Sequence, residues 1–140
     1  MSGDLRIVRA FSAGLALAAA ASSASAQTPS LVGVWSHHVV DPRTGQYISV
    51  IWDEFSPDGR LHSKFVTPAG TIDLYGAYQV LNGGAVVRAV FNDWSPKQVC
   101  TLVCTRNPPP MQIGVPGDSP LRFAGPDVVY FGADMYTRHR

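Results

Sequence analysis

The sequence predicts an all-β chain: one antiparallel up-and-down β-barrel of about eight strands. Three observations lead there. The 13 glycines and 11 prolines are spread along the chain and cut it into short pieces, which suits strands and turns better than long helices. Several pieces alternate apolar and polar residues with a period of two, Thr71–Leu81 most clearly. Turn signals separate neighbouring pieces, so successive strands are joined directly in a meander. Closing such a meander removes its two exposed edges.

The first 26 residues read as an export signal. Arg6 and Arg9 charge the start, and Ala10 to Ala21 is apolar but too short to span a bilayer as a stable helix. Ala24-Ser25-Ala26 places small residues where a signal peptidase reads, with cleavage expected before Gln27. No later stretch is apolar over a transmembrane length, so no integral membrane segment is expected after cleavage. Of the 140 residues, 114 would remain, enough for one domain with a real core. Removing Arg6, Arg9 and Asp4 from the 11 basic and 10 acidic residues leaves nine of each. A neutral chain lacks the basic field that nucleic acid or an anionic membrane surface would require.

The first strand is expected over Leu31–Val40. Asp41-Pro42-Arg43-Thr44-Gly45 turns the chain, because proline fixes φ and glycine tolerates a positive one. Tyr47–Phe55 follows, with Ile48, Val50 and Trp52 on one face and Tyr47, Ile51 and Phe55 on the other; Ser49 and Asp53 share the second face. Ser56-Pro57-Asp58-Gly59 is a β-turn signal leading into Arg60–Thr67. Pro68-Ala69-Gly70 then turns into Thr71–Leu81, where Ile72, Leu74, Gly76, Tyr78 and Val80 face one way. Asn82-Gly83-Gly84 suits a tight hairpin before a strand over Ala85–Phe91, which Asn92 to Pro96 should end. Gln98–Thr105 can be read as a strand. Asn107-Pro108-Pro109-Pro110 is expected as an extended surface loop, since proline lacks the donor a ladder needs. Leu121–Phe123, Val128–Phe131 and Ala133–Arg138 complete the chain.

Leu31-Val32-Gly33-Val34-Trp35 resembles the Gly-x-Trp opening of lipocalins and their calycin relatives. Phe55-Ser56-Pro57-Asp58-Gly59-Arg60 and Gly76-Ala77-Tyr78-Gln79-Val80 are similar to the second and fourth strand segments of small bacterial lipocalin-like domains. The resemblance implies a barrel whose first-strand tryptophan packs near one end, covered by an arginine from the last strand. Arg138 matches that position, with Arg140 as the fallback. A guanidinium stacked on indole covers the ring while its charge still reaches water or carbonyls.

Cys100-Thr101-Leu102-Val103-Cys104 is the most specific chemical feature. A lone cysteine pair in an oxidising compartment usually bridges. An extended strand would hold the two Cα atoms roughly 13 Å apart, whereas a bridge needs them within about 7 Å. Either Thr101–Val103 turns and Cys100 bonds Cys104, the favoured reading, or the strand is real and both thiols project from one face. In the second case, with Met111 nearby, the pair would suit a soft metal such as Cu(I).

His37 and His38 are adjacent on a strand and so face opposite ways; if Trp35 points inward, His37 does too. Asp53 and Glu54 are divided in the same manner. Glu54 shares the face of Trp52, and if that face is interior it is a buried acid that needs a partner such as Arg88 or His37. No nucleophile elbow, phosphate loop, zinc-binding His-Glu-x-x-His or other cofactor motif occurs, so neither a catalytic set nor a cofactor is assigned. Aromatic residues both fill cores and line apolar pockets. The expected function is therefore non-enzymatic binding of a small apolar or amphipathic ligand by an exported barrel. The residues expected to contact it are Trp35, His37, Trp52, Glu54, Phe65, Tyr78 and Phe91. A small barrel enzyme of isomerase or cyclase type using Glu54, His37 or Tyr78, and an interaction module with a filled core, are the alternatives.

Overall fold

The computed structural model describes residues 29–140. The export signal expected over residues 1–26 lies outside the described residues. Ten strands follow in order: β1 (Gly33–Val40), β2 (Tyr47–Phe55), β3 (Arg60–Thr67), β4 (Gly70–Leu81), β5 (Val86–Ser95), β6 (Gln98–Cys100), β7 (Cys104–Arg106), β8 (Gly117–Phe123), β9 (Val128–Phe131) and β10 (Asp134–His139). Eight of them close a barrel in the order β1-β10-β9-β8-β5-β4-β3-β2, and β6 and β7 form a separate two-stranded sheet. Every pairing is antiparallel, so the predicted meander and its closure are both present.

Alternation along β2 decides which residues enter the barrel. Ile51, Asp53 and Phe55 face inward, while Trp52 and Glu54 stand on the outer wall. Trp35 pairs with Asp53, which fixes the face: both point to the interior. Leu31, Trp35, Phe55, Leu61, Val87, Leu121, Val129 and Tyr136 form the buried core. It seals the end of the barrel where β1 begins and β2 ends.

Trp35 is fully buried. Its indole N–H donates to the Leu31 carbonyl at 2.8 Å, and the Arg138 guanidinium carbon lies 4.2 Å from its ring centre. Arg138 also donates to the carbonyls of Val32 (2.6 Å), Ser30 (2.6 Å) and Pro126 (3.1 Å), so one side chain ties the entry segment to the turn between β8 and β9. Arg140 instead pairs with Asp127. Gly33 makes room for this cover: a Cβ there would lie 2.7 Å from Arg138 Nη1, and its φ of +132° disfavours any side chain.

Two segments differ from the sequence expectation. β5 does not end at Phe91 but runs to Ser95. Tyr75 pairs with Asp93 and Gly76 with Phe91, leaving Asn92 as the extra residue of a β-bulge. The bulge resets the alternation, so Trp94 rather than Asp93 lies opposite the buried Leu74. Gly76 permits it, because a Cβ at that position would lie 1.9 Å from the Val90 carbonyl oxygen. The other difference is Gln98–Thr105, which is not one strand. Thr101–Val103 turns between β6 and β7, and the Cys100 and Cys104 sulfurs stand at bonding distance, 2.06 Å, with their Cα atoms 4.0 Å apart. This is the turn alternative, and it removes the two-thiolate metal arrangement; Met111 points into the barrel instead.

The hairpin leaves the barrel where its wall is incomplete. β8 pairs with β5 only from Val86 to Ala89, so the later part of β5 has no β8 partner. The chain between β7 and β8 fills part of the gap, with the Gly114 N–H donating to the Phe91 carbonyl at 2.7 Å. Trp94 Nε1 donates to the Asn107 carbonyl at 2.9 Å, which fastens the base of the hairpin to β5. Among the described residues, no helix is long and apolar enough to cross a membrane.

Candidate functional site

Above the sealed end the barrel is hollow. The cavity measures about 240 Å³. Its floor is Phe55 and Leu61. Its sides are Ile51 from β2, Ser63 and Phe65 from β3, Val87, Ala89 and Phe91 from β5, Ser119 from β8, Phe131 from β9 and Tyr136 from β10. Met111, from the segment that bridges the incomplete wall, completes the lining. The inward positions of this half are mostly half-buried, whereas those of the Trp35 end are buried, so the hollow and the packed regions occupy different levels of one interior.

Asp53 is the one charged side chain in this lining. It accepts a hydrogen bond from the buried Ser63 hydroxyl on the neighbouring strand, and Asp53 and Ser63 are directly paired residues. Its second oxygen accepts no hydrogen bond from another described residue. Burial pushes the Asp53 carboxyl up to about 6; the Ser63 hydrogen bond and the charges of His37 and His62 pull the other way but do not offset it. Desolvation and the negative charges of Asp53 and Asp134 raise the Tyr136 phenol above its ordinary range. It therefore stays protonated and can donate a hydrogen bond.

The residues expected from the sequence do not come together in one place. Phe65 and Phe91 are in the cavity wall. Trp35 lies in the sealed end. Tyr78 packs edge-on against Phe55, 4.9 Å between ring centres, and donates its hydroxyl to the Ser56 carbonyl at 2.7 Å, so it holds the β2–β3 turn. His37 points inward as the alternation requires, but it stacks on Tyr136 at 4.9 Å and is not part of the lining. Its Nδ1 is 2.8 Å from the Met135 carbonyl, which can only accept, so Nδ1 carries the proton and Nε2 faces Asp134 at 4.0 Å.

Trp52 and Glu54 are outside. Trp52 packs against His139, with ring centres 4.4 Å apart, and Glu54 lies 3.9 Å from His62, which also meets Asp73 at 2.7 Å. The acid inside the barrel is therefore Asp53, one position from the residue considered for that role, and Arg88 is paired with Asp118 at 2.7 Å rather than with Glu54. The sequence did contain a signal for Asp53: it shares its strand face with Ile51 and Phe55, and Phe55 abuts a strong turn. Ser63, Ser119 and Met111 carried none, because small polar residues and a methionine in a loop are common everywhere.

Compared with known proteins, the chain matches no family model, no curated sequence and no solved structure.

Proposed function

We propose that this chain is an exported, lipocalin-like binding protein that holds a small, largely apolar molecule inside its barrel. The observation that carries the reading is the cavity of about 240 Å³, walled by aliphatic and aromatic side chains around one polar pair, Asp53 and Ser63. Small-molecule sites combine an apolar wall with a few placed polar groups in this manner. The volume exceeds that of an engineered apolar cavity of about 150 Å³ known to take benzene, so one ring with a short chain fits. The Gly33-Val34-Trp35 opening and its Arg138 cover support the lipocalin-like reading. The charged start, the apolar run and Ala24-Ser25-Ala26 support export, as does the Cys100–Cys104 pair, which is stable in an oxidising compartment.

Native mass spectrometry of the protein purified from its own source tests the function. A retained small molecule, released on denaturation, is the expected result. A bare chain whose tryptophan fluorescence also ignores titration with small aromatic and aliphatic compounds would reject it. N-terminal sequencing of the same sample should begin at Gln27. One observation favours a second reading: a carboxyl pushed up to about 6 beside an apolar cavity is suited to proton transfer. In that case the barrel is a small isomerase-type enzyme with Asp53 as its acid or base, and the retained molecule would be converted on incubation.

A further inference from the structure

We infer that Asp53 is an anchoring site for a protonated amine, so that the barrel selects small aryl- or alkyl-amines over neutral or anionic molecules of the same shape. The inference rests on the binding reading above and names its ligand class. Asp53 is the single charged group of the lining, and no lysine or arginine shares the wall. The arginines that could have served are engaged elsewhere: Arg88 with Asp118 on the outer face, and Arg138 with backbone carbonyls at the sealed end. One carboxylate oxygen is fixed by Ser63, which orients the group, and the other is left for an occupant. An ionised carboxylate facing an apolar space is costly without a counter-charge, and an ammonium supplies both that charge and several donors. The rings of Phe65, Phe91 and Phe131 line the same space, and aromatic rings attract cations that reach their faces. An anionic ligand would meet Asp53 with like charge and find no donor but hydroxyls.

The test is isothermal titration of the signal-free chain, residues 27–140, with three probes of one shape: 2-phenylethylamine, 2-phenylethanol and phenylacetate. At about pH 7.5 the amine should bind roughly 10–100-fold more tightly than the alcohol, the range expected of a charge-assisted hydrogen bond, and phenylacetate should bind most weakly. In Asp53→Asn the amine and the alcohol should bind alike, and retained alcohol binding shows that the variant still has its cavity. The unmodified protein gives a second route that needs no variant. On acidification to about pH 5 roughly nine-tenths of the carboxyl is protonated while Ser63 and Tyr136 stay neutral, so the amine preference should fall about tenfold, and any positive charge on the nearby His37 of β1 and His62 of β3 acts in the same direction. Equal affinity for amine and alcohol in the parent, or a preference that survives Asp53→Asn, overturns the inference and leaves the cavity reading standing. Failure of all three probes to bind overturns the cavity reading together with it.

Discussion

The Arg138 guanidinium carbon sits 4.2 Å from the centre of the Trp35 ring, joining the last strand of the barrel to the first. Trp35 and Arg138 are also directly paired across β1 and β10, so the stack and the closing ladder are one contact. Trp35→Ala removes a fully buried ring and should cost on the order of 3–5 kcal/mol, a large share of the roughly 5–15 kcal/mol that holds such a domain folded. Arg138→Ala should cost about 1–2 kcal/mol through the lost stack and carbonyl bonds, and Arg138→Lys should restore only part, because an ammonium cannot stack. Urea denaturation of the three variants checks the order. If Arg138→Lys matches the parent, the planar stack contributes little.

Gly33 should be coupled to Arg138. An alanine there would need a φ of +132° and would press on Arg138 Nη1 at 2.7 Å. The expected loss is about 1–3 kcal/mol. Part of it is steric and should disappear when Arg138 is already alanine. A double-mutant cycle followed by thermal melting reads this directly. Strict additivity would mean that the backbone angle alone excludes a side chain from position 33.

Gly76→Ala should be worse tolerated than any other glycine replacement in the barrel wall. Its Cβ would meet backbone, the Val90 carbonyl at 1.9 Å, and backbone in a paired strand cannot turn aside as a side chain can. The cost should reach about 3 kcal/mol or more, read as a lowered melting temperature. A second consequence is local: hydrogen exchange should quicken over Tyr75 to Trp94, where the bulge would have to be rebuilt.

The cysteine pair should matter little to the barrel. It closes a very short loop, for which chain-entropy reasoning gives about 2 kcal/mol at most. The hairpin it staples is a separate sheet outside the closed barrel. Denatured, unreduced protein should show no free thiol. Replacing both cysteines by serine should free the hairpin to exchange its amides while moving the barrel's melting temperature by only a few degrees. A large shift would show that the hairpin supports the incomplete wall beside β5.

What could be read from the sequence follows from how local each signal is. The turns at Asp41–Gly45, Ser56–Gly59 and Asn82–Gly84 are written in consecutive residues, and the strands between them are at or near their expected places. Strand faces are harder. β2 carries bulky residues on both sides, Trp52 with Ile48 and Val50 on one and Ile51 with Phe55 on the other, so composition does not choose an inside. Pairing with Trp35 chooses it, and pairing is a property of the folded chain. The bulge at Asn92 was hidden for a related reason. Asn92-Asp93 resembles a turn locally, and only the close approach of Val90 to Gly76 shows why the strand continues. The cavity itself depends on eight strands and a bridging loop converging, and no single stretch of sequence records that.

Asp53 offers a prediction whose sign distinguishes a ligand anchor from a stabilising ion pair. Its carboxyl is pushed from an ordinary value of 3.8 up to about 6, chiefly by burial. The folded chain therefore holds the proton more tightly than the unfolded chain. Asp53 costs no stability below about pH 4, where it is protonated in both states. The cost grows between about pH 4 and 6 and is complete above that, where the folded chain must keep a charge in an apolar space. The gap corresponds to roughly 3 kcal/mol at full value, and contact with cavity water reduces it. Asn cannot ionise and can still accept from Ser63. Asp53→Asn should thus be more stable than the parent by about 1–3 kcal/mol near pH 8. The advantage should shrink as the pH falls and be lost near pH 4. Urea denaturation of the ligand-free proteins across that range is the measurement. A variant less stable than its parent at pH 8 would mean that Asp53 is satisfied within the folded chain, and the barrel would then have no charge waiting for a ligand.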